Sequence, residues 1–180
     1  VAKRLYPQTK KIHAETYETF KGKGYDLVIS NVPFASTNAL MREHAMTVKP
    51  AFKAIHNFYF AHSIDKVKDN GIVAFMTSTN FADGQKEAQK LRSYLMTKAD
   101  ILGVFRLPEK SQSQNAHTDT MIDVIFLQKR PEGVKSRQAD KNEAFAKLAT
   151  LKGHKVNGYL AQNQDAMLGD ITTGKDKTKM

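Results

Sequence analysis

The residues of this chain best suited to chemistry are Asn31-Val32-Pro33-Phe34. An asparagine side-chain carbonyl accepts a hydrogen bond, and so does the backbone carbonyl of the residue after it. Pro33 fixes the backbone, so the two acceptors can be held at one angle. Phe34 adds a flat apolar face. Two converging acceptors beside an aromatic plane suit an exocyclic amino group on a stacked heterocycle. The same residues also read as a strand ending in a proline turn with a core phenylalanine, since short motifs match by accident. From these four residues alone both readings stand.

Other candidates carry less. His56 and His62 sit on one predicted helix but off a common face for metal ligation, so packing or solvation accounts for them. Asp83-Gly84 reads as a turn, and Asp123 lies in a predicted strand where it caps or pairs rather than catalyses. Ser78 and Thr79 follow a strand, and lining a cleft or starting a loop suits them equally. No metal site is read. Cys 0 removes disulfides, thiolate metal sites and cysteine nucleophiles together. The basic residues from Lys129 to Arg137, and Lys152 with Lys155, read as solvated faces that could also contact phosphates, a salt-dependent and sequence-blind contribution.

These residues need a frame. Tyr25 to Ser30 is a short apolar run entered through Lys21-Gly22-Lys23-Gly24 and left through Pro33, which predicts a strand buried on both faces, as in a parallel sheet. Upstream, Ala2 to Tyr6 reads as a helix tail stopped before Pro7, and Ile12 to Tyr17 as an edge-side strand. Ala35 to Pro50 shows no stable period. From Pro50 a helix is expected up to Val67, with Ala51, Ile55, Phe58, Tyr59 and His62 at helical spacing, ended by Asp69-Asn70-Gly71. Gly71 to Met76 is a second strand, Lys86 to Lys98 a second helix, and Ile101 to Phe105 and Met121 to Leu127 are further strands. Alternation of strands and helices is the mark of an α/β sheet. The last connection holds no helix, so the final strand should be antiparallel. In open sheets of this kind ligands bind beyond the carboxyl ends of the strands, where Asn31 to Phe34 would stand.

The chain has 180 residues, 28 Lys+Arg against 18 Asp+Glu, and a formal net charge of +10. That length suffices for one domain with a sizeable core. A hydrophobic fraction of 41% and a charged fraction of 26% exclude global disorder. The longest apolar runs are far too short to span a membrane, and no secretory leader is evident. The lack of cysteine fits a reducing compartment, here the cytoplasm. The positive balance points to a polyanionic partner. Past Arg130, Pro131-Glu132-Gly133 breaks the pattern; residues 131–180 are expected to be a basic extension or linker, with Lys175 to Met180 frayed.

Asp26 to Phe34 resembles the catalytic motif of amino-group DNA methyltransferases, commonly Asn or Asp, Pro, Pro, then Tyr or Phe. With Val32 at the second position it is most similar to large N-6 adenine methylase-helicase proteins of phages, plasmids and mobile elements. The likeness extends over Leu5-Tyr6-Pro7, Gly71 to Ser78, Arg106-Leu107-Pro108, Asn115-Ala116, Thr118 and Ile122 to Arg130, then Val156 to Leu160 and Met167-Leu168-Gly169. These blocks stand in the family's order and cover nearly the whole chain. Residues 1–130 would then be a partial methyltransferase catalytic domain.

The resemblance implies a Rossmann-like S-adenosylmethionine-dependent methyltransferase fold, of which this is the later half of the sheet. It implies methyl transfer to the exocyclic amino group of a flipped-out adenine in DNA. The Asn31 side chain and the Val32 carbonyl would accept the two amino hydrogens, drawing the nitrogen lone pair out of conjugation; Phe34 would stack on the extruded base. Val in place of Pro suits a position whose contribution is a backbone carbonyl. Thr16-Tyr17 stands where the family has a small polar residue and an aromatic near the cofactor's adenine; a plain strand end is the other reading of that pair. The family's Gly-rich cofactor loop, which precedes the motif by several tens of residues, is absent, which implies that this is the later part of a longer protein and that the preceding part is a partner. Gln112 replaces the aromatic usual in the last loop, and His117 a common Gly. The alternative is therefore a catalytically degenerate methylase-like module that serves DNA binding or antirestriction.

Overall fold

The computed structural model describes residues 2–9, 11–13, 15–33, 54–109, 111 and 120–169. Phe34, Gln112, His117 and the tail from Lys175 to Met180 lie outside the described residues. A short helix α1 (Ala2–Leu5) stops before Pro7, as expected of a chain entering proline. Strand β1 (Tyr25–Asn31) follows the glycine-rich entry, where Gly24 takes a φ of 81° that a side chain would resist. Helix α2 (Ile55–Ile64) leads to β2 (Val67–Ser78), and α3 (Glu87–Lys98) leads to β3 (Ala99–Leu107) and β4 (Ile122–Lys129).

The four strands form one sheet in the order β1-β2-β4-β3. β1 runs parallel to β2, whereas β4 runs antiparallel to both β2 and β3. The fold is thus mixed α/β, with the antiparallel last strand that the short connection demanded. Its place was not legible: β4 enters between β2 and β3, so two strands consecutive in the chain never pair. The carboxyl ends of β1, β2 and β3, at Asn31, Ser78 and Leu107, consequently share one edge with Ile122, where β4 begins.

One face of this sheet is the core. Val73 and Phe75, Leu127 and Ile125, and Ile101 and Val104 occupy matched registers on three strands, each at 1% exposure or less. Phe58, Phe60 and Ile64 of α2 and Leu91 and Leu95 of α3 complete one contiguous cluster. An aromatic series runs outward from the sheet: Phe75 meets Phe60 edge-on at 5.0 Å, Phe60 stacks on Phe81 at 3.8 Å, and Phe81 tilts against Phe145 at 6.2 Å. Such pairs add about 0.5–1.5 kcal/mol each beyond the area they bury.

Phe145 belongs to helix α4 (Ala139–Ala146), which is followed by the hairpin β5 (Leu148–Leu151) and β6 (His154–Asn157) and by α5 (Gly158–Gln162). Phe145 and Leu160 are fully buried in the same cluster as the sheet residues. Met167 bridges to Arg106, and the Leu168 amide donates to the Arg106 carbonyl at 2.9 Å, so this segment lies along the end of β3.

Four local expectations are corrected. Ile12 to Tyr17 forms no strand; the Thr16 carbonyl instead accepts from the amides of Thr19 and Phe20 in a tight turn. The helix expected to reach Val67 ends at Ile64, and Val67 already pairs with Tyr25. Asn70 does supply a left-handed residue, at φ 63°, but it makes a kink inside β2, where the β1 register jumps from Val67 to Ile72. Finally, β1 is not buried on both faces. Leu27 and Ile29 are 51% and 73% exposed, because they alternate onto the face opposite the core, which they share with the half-exposed Phe105.

Candidate functional site

The end of β1 presents its residues alternately. Asn31 pairs with Met76 and faces outward, exposed; Val32 turns inward and is fully buried; Pro33 is exposed again. The Val32 amide donates to the Met76 carbonyl at 2.9 Å, which extends the β1 ladder one residue past the strand. This division has a physical consequence. Val32 acts as an apolar peg that fixes the backbone at the carboxyl edge, and the fixed backbone presents Asn31 to solvent. The structure therefore brings Asn31, Val32 and Pro33 together at the edge where ligands bind in open sheets.

Tyr17 is held against α2 and packs on the cluster that contains Val32. The Tyr17 hydroxyl is 2.6 Å from Ser63 Oγ, and its ring packs on Tyr59 at 4.9 Å and edge-on to His62 at 5.0 Å. Burial, against the Ser63 hydrogen bond, raises the Tyr17 pKa. The side chain is thus fastened to α2, while Thr16 is exposed and its hydroxyl faces Thr19 at 3.2 Å. Beside them a cavity of about 360 Å³ runs along β1, lined by Tyr17, Phe20, Tyr25, Leu27, Ile29 and Lys66 among others.

Next along the carboxyl edge stands a buried ionic cluster. Arg106 donates from Nε to Asp123 Oδ1 at 2.7 Å and from Nη2 to Asp123 Oδ2 at 2.9 Å, a two-pronged match of planar groups. Its remaining nitrogen, Nη1, donates to Asp83 Oδ2 at 2.7 Å. Burial works against the Arg106 cation, but Asp123 first and Asp83 second outweigh it, and the guanidinium is held more firmly charged than usual. Asp123 therefore pairs, as its place in a strand suggested. Asp83 lies in the turn after β2, and its other oxygen accepts the Asn157 amide at 2.8 Å. Asn157, fully buried, donates to the carbonyls of Ala82 and Phe145 and caps α5 by accepting from the Tyr159 amide.

Arg92 serves the same junction. It donates to the carbonyls of Phe145, Phe81 and Gly84 at 2.6–3.0 Å. Burial pushes its pKa down to about 10, which leaves it charged at neutral pH. The sequence reading missed this residue. Its signal was a charged side chain between Leu91 and Leu95 on the apolar face of α3. His56 is 7% exposed, edge-on to Phe81 at 6.0 Å, and burial pushes its pKa down to about 4. It is a packed, neutral histidine. Among the described residues no cluster of His, Asp and Glu is placed to hold a metal, and no helix is long and apolar enough to cross a membrane.

A mixed sheet with an antiparallel strand between two parallel ones, and an asparagine motif at its carboxyl edge, defines a class of fold shared with known proteins. The structure superposes on a Listeria monocytogenes protein assigned as a class I S-adenosylmethionine-dependent methyltransferase, with a TM-score of 0.55 and 20% identity over 67% of this chain and 36% of that one. It also superposes on a Vibrio vulnificus protein assigned as the modification subunit of a type I restriction enzyme, with a TM-score of 0.53 and 12% identity over 77% of this chain and 38% of that one. A component of a type I restriction-modification complex gives a TM-score of 0.51 and 18% identity over 64% of this chain and 26% of that one. The fold is that of the class I methyltransferases, and the chain spans only 26–38% of the length of these three structures. No curated protein sequence matches. Residues 3–113 match the Eco57I restriction-modification methylase family, and the chain belongs to that family.

Proposed function

We propose that this chain carries the base-activating part of an S-adenosylmethionine-dependent DNA methyltransferase, acting on the exocyclic amino group of adenine. The observation that carries this reading is the end of β1, where a buried, hydrogen-bonded Val32 sets an exposed Asn31 at the carboxyl edge. The Asn31 Oδ1 and the Val32 carbonyl accept the two hydrogens of the amino group and hold it tetrahedral, with its lone pair free. Phe34 stacks on the base after it leaves the duplex, a contact worth about 1–3 kcal/mol. S-adenosylmethionine supplies an electrophilic methyl group. Asn31 and Val32 would hold the amino lone pair toward that methyl group when the cofactor is bound, and the surplus amino proton would pass to solvent.

The residues present fit the acceptor side of this reaction better than the cofactor side. Thr16 and Tyr17 are the candidates for the cofactor's adenine, but the Tyr17 hydroxyl is committed to Ser63. A Gly-rich grip is missing from the sequence. In our reading a preceding part of the same polypeptide supplies it. The exposed Leu27, Ile29 and Phe105 on the outer face of the sheet support this, because a doubly covered sheet needs a second layer there. DNA is the polyanion that the +10 charge serves, and a cytoplasmic enzyme fits a chain without cysteine.

The test is methyl transfer from labelled S-adenosylmethionine to unmodified DNA by the complete methyltransferase and by Asn31→Ala. Loss of transfer by at least a hundredfold in the variant, with label on adenine N6, is the expected outcome. Equal transfer by both proteins would remove Asn31 from the reaction. No transfer by wild type would favour the degenerate DNA-binding module instead. For the 180-residue chain alone, S-adenosylmethionine binding is expected to be undetectable by calorimetry at micromolar concentrations.

A further inference from the structure

The core face of the sheet changes character at one row. Two rows of matched registers are apolar, Val73 with Leu127 and Ile101, then Phe75 with Ile125 and Val104. The next row toward the carboxyl edge pairs Thr77 with Asp123 and Asp123 with Arg106, each at 1% exposure or less. On the other side of Thr77 the row ends at Val32, whose amide is bonded to the preceding residue of β2, Met76. The charged groups therefore lie level with the motif residue whose carbonyl is proposed to touch substrate. At about 4.8 Å per strand, Asp123 is roughly 10 Å from β1.

Stability does not demand charges here. A buried ion pair replaced by well-packed apolar residues is commonly neutral or stabilising, whereas its directional bonds fix geometry. The bonds at this row fix much. Arg106 joins β3 to β4 through both oxygens of Asp123 and joins both strands to the turn after β2 through Asp83. Asp83 and the Arg106 carbonyl then accept from Asn157 and Leu168, residues of the segment that follows the sheet.

We propose that Arg106 is a positioning residue for the Asn31–Pro33 site, and that Asp83 and Asn157 extend this role to the 139–169 segment. The ionic row sets the spacing of β2, β4 and β3 at their carboxyl ends and thereby the seat of Val32 on β2. The inference rests on the methyltransferase reading above, but one arm of its test does not.

Two variants separate positioning from bulk stability. Arg106→Met with Asp123→Leu replaces the pair by apolar side chains, and Asp83→Asn breaks only the third arm. In the complete methyltransferase both are expected to lower kcat for DNA methylation at least tenfold, with the KM for S-adenosylmethionine and the thermal midpoint nearly unchanged. In the 180-residue chain, amide hydrogen exchange read by NMR should be at least fivefold faster at Val32 in Asp83→Asn, with Val73 and Ala74 unaffected. A double variant that keeps full kcat, or a Val32 amide that exchanges at the wild-type rate in Asp83→Asn, overturns the proposal. If the double variant does not fold, Asp83→Asn decides alone. A wild type without methyl transfer defeats the functional reading, while the exchange arm still judges the positioning.

Discussion

Lowering the pH should unseat α2 through His56, and the size of the effect follows from its burial. His56 is 7% exposed against Phe81, and its pKa lies near 4 in the folded protein against an ordinary 6.5. The folded state thus resists the proton that the unfolded chain takes up readily. Between those two values the unfolded state binds more protons, so stability rises with pH and is lost as pH falls. Linkage gives a loss of about 2 kcal/mol at pH 5 and about 3 kcal/mol at pH 4, relative to pH 8. Against a total of about 5–15 kcal/mol for a domain, that is a large fraction. The assay is urea unfolding followed by far-UV circular dichroism from pH 8 to pH 4, on wild type and on His56→Leu. Carboxylates also titrate near the lower limit, so the informative quantity is the difference between the two curves. Wild type should lose about 2 kcal/mol more than the variant on going from pH 8 to pH 5. Parallel curves would show that His56 is protonated in the folded state, and the packing argument would fail.

Two further outcomes follow from the packing. A Cβ on Gly158 would stand 2.5 Å from the Ala144 carbonyl oxygen, so Gly158→Ala should force α5 away from α4 and cost about 1–3 kcal/mol, read as a lower urea midpoint. A midpoint equal to wild type would mean that this junction is loose. Ile29→Lys, at a position 73% exposed, should change the stability of the 180-residue chain by no more than about 0.5 kcal/mol while reducing its light scattering. In the complete methyltransferase the same substitution should be costly, because the outer face is then covered; equal tolerance in both would count against that cover.

Much of the frame was legible because its signals are local. The apolar runs at Tyr25 to Ser30 and Gly71 to Met76, and the helical spacing of Leu91 and Leu95, all fell within the elements found. Element ends were less so: β2 begins at Val67 because its backbone pairs with Tyr25, a partner far away in sequence. The two-sided burial expected of β1 failed for a related reason. An apolar run records what a strand is suited to, not which neighbours stand beside it. The alternation that leaves Asn31 outward and Val32 inward was implicit in strand periodicity, whereas the Arg106 cluster was not. Its members come from β3, β4, the turn after β2 and the end of β6, and only the sheet order brings them together. Arg92 shows the same limit, since an arginine among leucines reads as a flaw in the pattern until three carbonyls are found around it.

The place of β4 in the sheet governs the order in which this protein can be made. Among the described residues the ladder of β3 is built on β4, with one further bridge from Arg106 to Met167 at its end, and β2 has one edge that only β4 fills. A nascent chain ending before Ile122 lacks the strand that stands between β2 and β3 in the finished sheet. β4, made last of the four, takes the place between two strands already synthesised and pairs with an edge of each. Contacts of such long sequence separation fold slowly, and until they form, the open edges can pair with other chains. Expression at reduced temperature or with chaperones should therefore raise the soluble yield more than any surface substitution on β3, because the vulnerable species is the chain before β4 rather than the finished fold.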